Sequence, residues 1–532
     1  MRAASHATTS ELPPPGPRHT RMLLAFAVAK IALHLTAITR YGYFRDELYY
    51  LASTEHLAWG YVEHPPLSIA LLALVRAAFG DSLIALRAVP ALAGATTVVL
   101  TGLIARQLGG GRFAQGLACL SALLSPVFLG TDHSYSMNSL DLLLWTLAVW
   151  VLLHVLRSGT PRSWALLGVV LGLGLLNKIS VLWLGLGLGA GLLLTPHRRS
   201  LATPGPYLAA AIAAIMFLPH VLWQQANAWP TLEFMHNATA RKMVAVSWGE
   251  FVTKQLMEMG PGNALVWMAG LLFALFAPHG VSRAESPGSI GTRPWRILAW
   301  VYLAVALLLM IGGRSRASYL AVAYPMLLAL GGVAWERVAA RRPWRWARVA
   351  VPALVAAGGV VAIPFALPVL PVEAFIRYQR TLGMTPGTEE RLEVGPLPQH
   401  YADMFGWPEL ASLVARAYQR LTPEERSRCR VFGQNYGEAG AVDVLGRKLG
   451  LPRAMSGHNS YWLWGPGDFD GSVLIIIGGD REDNAEFFED IEIVGQTSAP
   501  YAMPYERGLA VSIARRPKLD LRQAWPRLRH YI

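Results

Sequence analysis

Cysteine and charge are both scarce in this chain. Two cysteines stand in 532 residues, Cys119 in an apolar run and Cys429 in the polar C-terminal third. They supply neither a disulfide framework nor a zinc-ligand spacing. Asp, Glu, Lys and Arg make up 15% of the residues, against about 25% in soluble chains, so much of the surface faces something other than water. A P-loop, a Rossmann glycine fingerprint, an HExxH and a GxSxG are all missing. Their absence removes the motif-borne nucleotide, zinc-protease and serine-hydrolase sites. Internal repeats are missing too.

What is present is apolar and comes in long runs: 53% of the residues are hydrophobic and the mean hydropathy is +0.34. Eleven segments read as membrane spans, at 22–39, 83–105, 113–130, 138–156, 163–177, 179–195, 205–222, 262–279, 297–312, 319–335 and 349–370. Residues 1–21 are polar and rich in Pro and Ser, and read as a disordered cytoplasmic tail ahead of a retained first span. The net charge of +13 would suit nucleic acid, but the basic residues are placed otherwise. They fall in short loops, at Arg106 and Arg112, Arg157 and Arg162, Arg198 and Arg199, Arg283, Arg293 and Arg296, and Arg337 through Arg348. With the N-terminus inside, all five loops are cytoplasmic, which is the charge bias of membrane topology and excludes a nucleic-acid groove.

The same parity places 40–82, 223–261 and everything after 371 outside. The expected architecture is a polytopic α-helical membrane protein. It has about eleven transmembrane helices over 22–370 and a C-terminal extracytoplasmic α/β domain over 371–532. In that domain SVLIIIGG at 472–479 reads as a buried strand. PPLSIALLALVRAAFG, within the 40–82 loop, is too short to span and reads as interfacial helix.

Chemistry-bearing residues concentrate on the expected outer side. YGYFRDELYYLA at 41–52 sets Asp46 and Glu47 among Arg45, Tyr43, Tyr49 and two further tyrosines. A carboxylate there suits a general base or a divalent metal, and equally an interfacial charge anchor. GYVEHPPL at 60–67 puts Glu63 and His64 before a Pro-Pro that fixes the chain direction. His64 suits a phosphate or a metal, or simply a rigid loop entry. In SYSMNSLDLLLW at 134–145, Asp141 lies a turn inside a span, with Asp132 and His133 just before it. An acid in a span usually faces a cavity. Lys178 interrupts GLGLLNKISVLWLG at 172–185, as a phosphate-binding cation or as a snorkelling lysine. WQQANAWPTLEF at 223–234, with Trp229 and Glu233, suits a sugar face and its hydroxyls. Arg314 and Arg316, in GGRSRASYLAVAYP at 312–325, break the charge rule and suit an anionic partner. Lys30 and His34 in the first span suit the same kind of partner, or read as bundle-buried or snorkelling residues. QNYGEAGAVD at 434–443 and SGHNSYWLWGPG at 456–467 read as a binding edge, or as turn chemistry around packed aromatics.

Together RDELYYL, GYVEHPPL, NKISVLW, WPTLEF and AVAYP resemble glycosyltransferase family 39. This is the dolichyl-phosphate-mannose protein mannosyltransferase-like group with the GT-C fold, in its bacterial branch. The resemblance covers about 40–340, and the two C-terminal segments resemble bacterial members with a periplasmic tail. It implies a multi-pass protein of the bacterial inner membrane that takes a monosaccharide from a polyprenyl-phosphate donor. The acceptor, a glycan, lipid or protein, is unnamed, as is the sugar. It further implies Asp46 as the catalytic carboxylate with Glu47 beside it, Asp141 as a second outer acid, and Lys178 and Arg314 at the donor phosphate, with His64 as a further partner. Where relatives carry a GGK-type segment, this chain has GGRSRASY, which keeps the cation but changes its geometry. No cofactor is implied with certainty, and metal dependence varies across the fold. The rival readings are a transporter or flippase of lipid-linked sugars, which calls for an inverted repeat, and a non-catalytic envelope scaffold.

Overall fold

The computed structural model describes residues 14–276, 295–469 and 471–532. Most of the expected N-terminal tail lies outside the described residues, as do Arg283, Arg293 and the end of the 262–279 segment. Helix α1 (Thr20–Leu35) leads into a long loop holding α2 (Arg45–Ser53) and α3 (Leu67–Phe79). Then follow α4 (Leu83–Gln107), α5 (Arg112–Leu124), α6 (Pro126–Thr131), α7 (Met137–Ser158), α8 (Pro161–Asn177), α9 (Val181–Leu193) and α10 (Gly205–Ala226). A second long loop carries α11 (Pro230–Asn237) and α12 (Trp248–Met259). The apolar part closes with α13 (Pro261–Phe276), α14 (Arg296–Ile311), α15 (Tyr324–Ala339) and α16 (Ala347–Ala366).

Each of the eleven apolar segments therefore carries a helix, but their lengths differ. Among the described residues five helices are long and apolar enough to cross a membrane, or six if α12 and α13, bent by 113°, form one broken span. The others are shorter. Helix α5 has 13 residues, about 20 Å at 1.5 Å per residue, and stops where Ser125–Pro126 restarts the chain as α6. Hydropathy sees a continuous apolar run there, whereas proline removes an amide donor and breaks the ladder.

Local chemistry sets several helix ends. The Ser136 side chain accepts from the Asn138 amide to cap α7. Gly159, at φ 60°, ends α7 in the left-handed conformation, and Thr160 with Pro161 starts α8 at once. Small residues let helices touch. A Cβ on Gly270 would lie 2.1 Å from the Leu327 carbonyl oxygen, and one on Gly331 would lie 2.0 Å from that of Val266. Helices α13 and α15 thus cross backbone to backbone, as helices do where lipid offers no hydrophobic drive to associate.

The C-terminal part contains a five-stranded mixed sheet, ordered β2-β1-β3-β5-β4. Its strands are β1 (Cys429–Phe432), β2 (Ala454–Met455), β3 (Val473–Ile477), β4 (Phe488–Gln496) and β5 (Ala510–Pro517). β1 pairs in parallel with β2 and β3; β5 pairs antiparallel with β3 and β4. β3, which falls in SVLIIIGG, is buried along its whole length, as a central strand covered on both faces must be.

This sheet does not stand apart from the first loop. Leu48, Tyr49 and Leu51 of α2 share one buried apolar cluster with Val431, Ile475 and Ala439. The helix Tyr436–Leu445 lies so close to α2 that a Cβ on Gly440 would come within 3.0 Å of the Leu48 carbonyl carbon and 3.1 Å of the Tyr49 amide. Gly440→Val should push the two helices apart. Overpacking of this kind costs about 1–3 kcal/mol, so the purified variant should show a lower thermal unfolding midpoint than wild type.

Candidate active site

After α1 the chain turns through Tyr41 and Gly42, both at positive φ (64° and 83°), and re-enters helix at Arg45. Glu47 anchors this reversal. Its carboxylate accepts from the Phe44 amide at 2.9 Å and the Tyr135 amide at 2.9 Å. It also accepts from Arg87 Nε at 3.0 Å and Nη2 at 2.9 Å. Arg87 donates further to the carbonyls of Ile38, Arg40 and Gly42. Both side chains are fully buried. Glu47 is thus saturated and turned away from open space.

Asp46, one residue earlier, faces a cavity of about 720 Å³. Its side chain is 36% exposed, with Arg45 Nε 3.8 Å from Oδ1, and Oδ1 accepts the Tyr436 hydroxyl at 2.9 Å. The same cavity is lined by His64, Lys178, Arg314 and Arg316. Lys178 Nζ donates to Asn138 Oδ1 at 2.7 Å and lies 3.5 Å from Asp141 Oδ2. Asp141 is buried and accepts from Ser180 Oγ, so it holds Lys178 from behind and does not face the cavity itself. Arg316 pairs with Glu390, which also lies 3.5 Å from Lys242. Arg314 donates to the Thr239 carbonyl at 2.9 Å. Burial lowers the Lys242 ammonium, while Lys242 and Arg316 hold the Glu390 carboxyl below its usual range despite burial.

Glu63 also lines the cavity and accepts the Tyr49 hydroxyl at 2.8 Å and the Asn459 amide. Burial pushes its carboxyl up to about 7. His64 stacks on Tyr50 with ring centres 4.8 Å apart. Its Nδ1 meets the Pro65 carbonyl at 3.0 Å, while its buried Nε2 has no hydrogen-bond partner among the described residues. Burial lowers this imidazole to about 4, so it is neutral at pH 7. Among the described residues no three His, Cys, Asp or Glu side chains form a group able to hold a metal ion.

The cavity therefore gathers Asp46, Tyr49, His64, Lys178, Arg314 and Arg316 from segments far apart in sequence. Other candidates sit elsewhere. Asp132 pairs with Lys30 at 2.8 Å, both buried. Tyr43 donates to the Asp81 carbonyl. Trp229, at φ 57°, starts α11 and stays exposed, and Glu233 pairs with Arg529 at 3.5 Å. Lys242, Glu390, Asp403 and Tyr436 line the cavity although sequence reasoning gave them no role. Lys242, Glu390 and Asp403 lie outside the family-like motifs, whereas Tyr436 falls in QNYGEAGAVD, which reads from sequence as a binding edge without singling out any one residue.

Residues 63–223 match the family model described as dolichyl-phosphate-mannose-protein mannosyltransferase. The chain is related to that family through this segment. Two curated relatives extend the picture. One is an undecaprenyl phosphate-alpha-4-amino-4-deoxy-L-arabinose arabinosyl transferase of Pseudomonas savastanoi pv. phaseolicola, 25% identical over 194 residues, covering 35% of this chain and 31% of that one. The other is the lipopolysaccharide core galacturonosyltransferase RgtB of Rhizobium johnstonii, 26% identical over 303 residues, covering 55% of this chain and 59% of that one. The chain thus spans about a third of the first and about three fifths of the second. The crystal structure of ArnT from Cupriavidus metallidurans bound to undecaprenyl phosphate superimposes with a TM-score of 0.59 at 14% identity, over 93% of this chain and 98% of that one. The mannosyltransferase-like segment therefore sits in a shared fold.

Two measurements separate scaffold from site. Arg87→Ala leaves Glu47 charged and buried, which costs about 3–5 kcal/mol, so its unfolding midpoint should fall well below that of Asp46→Asn. For Glu63, the folded state keeps a proton that the unfolded chain, with a carboxyl near about 4.3, has already released. Its stabilising effect is full below about pH 4 and lost as pH rises to about 7. The drop in unfolding midpoint between pH 5 and pH 8 should therefore be smaller in Glu63→Gln than in wild type.

Proposed function

We propose that this chain is a membrane glycosyltransferase that moves a monosaccharide from a polyprenyl-phosphate donor to an acceptor on the extracytoplasmic face, with inversion at the anomeric carbon. The observation that carries this reading is the cavity itself. A carboxylate with an open face, Asp46, stands in the same space as Lys178, Arg314 and Arg316, which is the charge pattern a base and a leaving phosphate require. The match of residues 63–223 to the mannosyltransferase family, and the activities for which the arabinosyl and galacturonosyl relatives are named, support it.

In the proposed reaction Asp46 takes the proton from an acceptor hydroxyl or amine. The freed electron pair attacks the anomeric carbon, the bond from that carbon to the phosphate oxygen breaks, and the lipid phosphate departs with the bonding electrons. Lys178 and Arg314 stabilise the charge that builds on it, with Arg316 as a further donor; neutral His64 gives its one N–H to the Pro65 carbonyl and offers only an acceptor at Nε2. Arg314 is well suited, since its hydrogen bonds go to the backbone carbonyls of Thr239 and Ala240. Arg316 has its charge balanced by Glu389 and Glu390. Glu47 and Asp141 are assigned supporting places, Glu47 holding α2 and Asp141 holding Lys178. We assign the eleven apolar helices to crossings of the inner membrane, the shorter ones included, with the sheet region and the cavity outside.

The test is transfer of radiolabelled sugar from polyprenyl-phosphate sugars in membranes. Wild type should transfer label, and Asp46→Asn, expressed to the same level, should lose about 100-fold or more, the scale of a lost general base. An Asp46→Asn variant as active as wild type sinks the assignment.

A further inference from the structure

The segment QNYGEAGAVD is not used by the reaction as set out above, yet its first helical residue touches the base. Asn435 starts the helix Tyr436–Leu445. Its Oδ1 accepts from the amides of Gly437 at 2.8 Å and Glu438 at 3.0 Å. Its Nδ2 donates to Glu438 at 2.9 Å and to Glu506 at 3.0 Å. The start of this helix is thereby capped and tied to the β4–β5 connection at Glu506.

Two glycines then bring the helix onto α2. A Cβ at Gly437 would lie 2.4 Å from Arg45 Cγ, and one at Gly440 would meet the α2 backbone. At this range the Tyr436 ring is held on several sides. The Arg45 guanidinium lies 5.2 Å from its centre, and the rings of Tyr49 and His458 each lie 4.8 Å away. Burial holds the phenol well above its ordinary range, so it remains a donor. Its hydroxyl reaches Asp46 Oδ1, the same oxygen that faces Arg45.

We propose that Tyr436, delivered by the C-terminal region, is a positioning residue for Asp46: it binds Oδ1 and leaves Oδ2 turned to the acceptor. The proposal rests on Asp46 being the base. A carboxylate held by one oxygen presents the other in a single orientation, and proton transfer in the transition state depends on that geometry. The C-terminal region is then part of the reaction centre, although it lies outside the family-matched segment.

The test uses the full chain as wild type, Tyr436→Phe, Asp46→Asn, Asp46→Ala and the double variant of Tyr436→Phe with Asp46→Ala. Phe keeps the ring stack and removes only the hydroxyl. Tyr436→Phe should lower kcat about 10-fold or more while donor KM stays within about two-fold, the split expected of a group that acts only in the transition state. On thermal unfolding Tyr436→Phe and Asp46→Ala, which removes the acceptor oxygen that an Asn would keep, should be non-additive, the double variant losing no more than the worse single one. A wild-type kcat in Tyr436→Phe beside an inactive Asp46→Asn overturns the positioning role and leaves the base in place. An active Asp46→Asn overturns both. Additive losses of unfolding midpoint overturn the contact itself, whichever donor is transferred.

Discussion

Glu47 and Arg87 meet out of reach of water, and the geometry of the cavity follows from that meeting. The carboxylate receives two donors from Arg87 and two backbone amides; the guanidinium also gathers three carbonyls from the turn after α1. Leaving either charge alone would be costly, so the pair fixes α2 against α4 and against the turn in one arrangement. Asp46 is the immediate neighbour of Glu47 on α2, and successive helical residues point about 100° apart. Burying Glu47 on one side turns Asp46 to another, where the cavity lies.

Both carboxylates of the first loop that line the cavity receive a donor from the C-terminal region, Asp46 from Tyr436 and Glu63 from Asn459. Asn459 does this at φ 50° and ψ −132°, a conformation that costs a side-chain-bearing residue about 1–3 kcal/mol and persists only where surroundings over-determine it. Here they do: its side chain exchanges hydrogen bonds with the backbone of Ile532 at both carbonyl and amide. Strain, glycine-mediated contact and aromatic stacking all sit along one seam, between α2 and the sheet region, and that seam borders the cavity.

Much of the helical frame was legible because it rests on local chemistry. Long apolar runs, proline and glycine punctuation and the buried β-branched run at 472–479 each act within a few residues, and all eleven apolar segments carry a helix. Span length was less legible, since hydropathy does not register the break at Ser125–Pro126. Within the site, Asp46, His64, Lys178, Arg314 and Arg316 stood out as charge or imidazole in aromatic or apolar company. The same signal marked Asp132 and Trp229, which the fold places elsewhere. Nothing local separates an acid that pairs with a buried lysine, as Asp132 does with Lys30, from one that faces a cavity.

By itself, then, the sequence determined that the chain is a series of apolar helices with a polar C-terminal part, and it pointed to the Asp46–Glu47 pair and a set of cations as candidates for the chemistry. Those properties follow from composition, periodicity and motif, which are written residue by residue. Only the tertiary structure decided which member of the Asp46–Glu47 pair is spent on Arg87, that Asp141 stands behind Lys178, and that Tyr436 comes 390 residues along the chain to meet Asp46. These are choices of partner, and a partner is set by how elements far apart in sequence pack, not by the residues beside it.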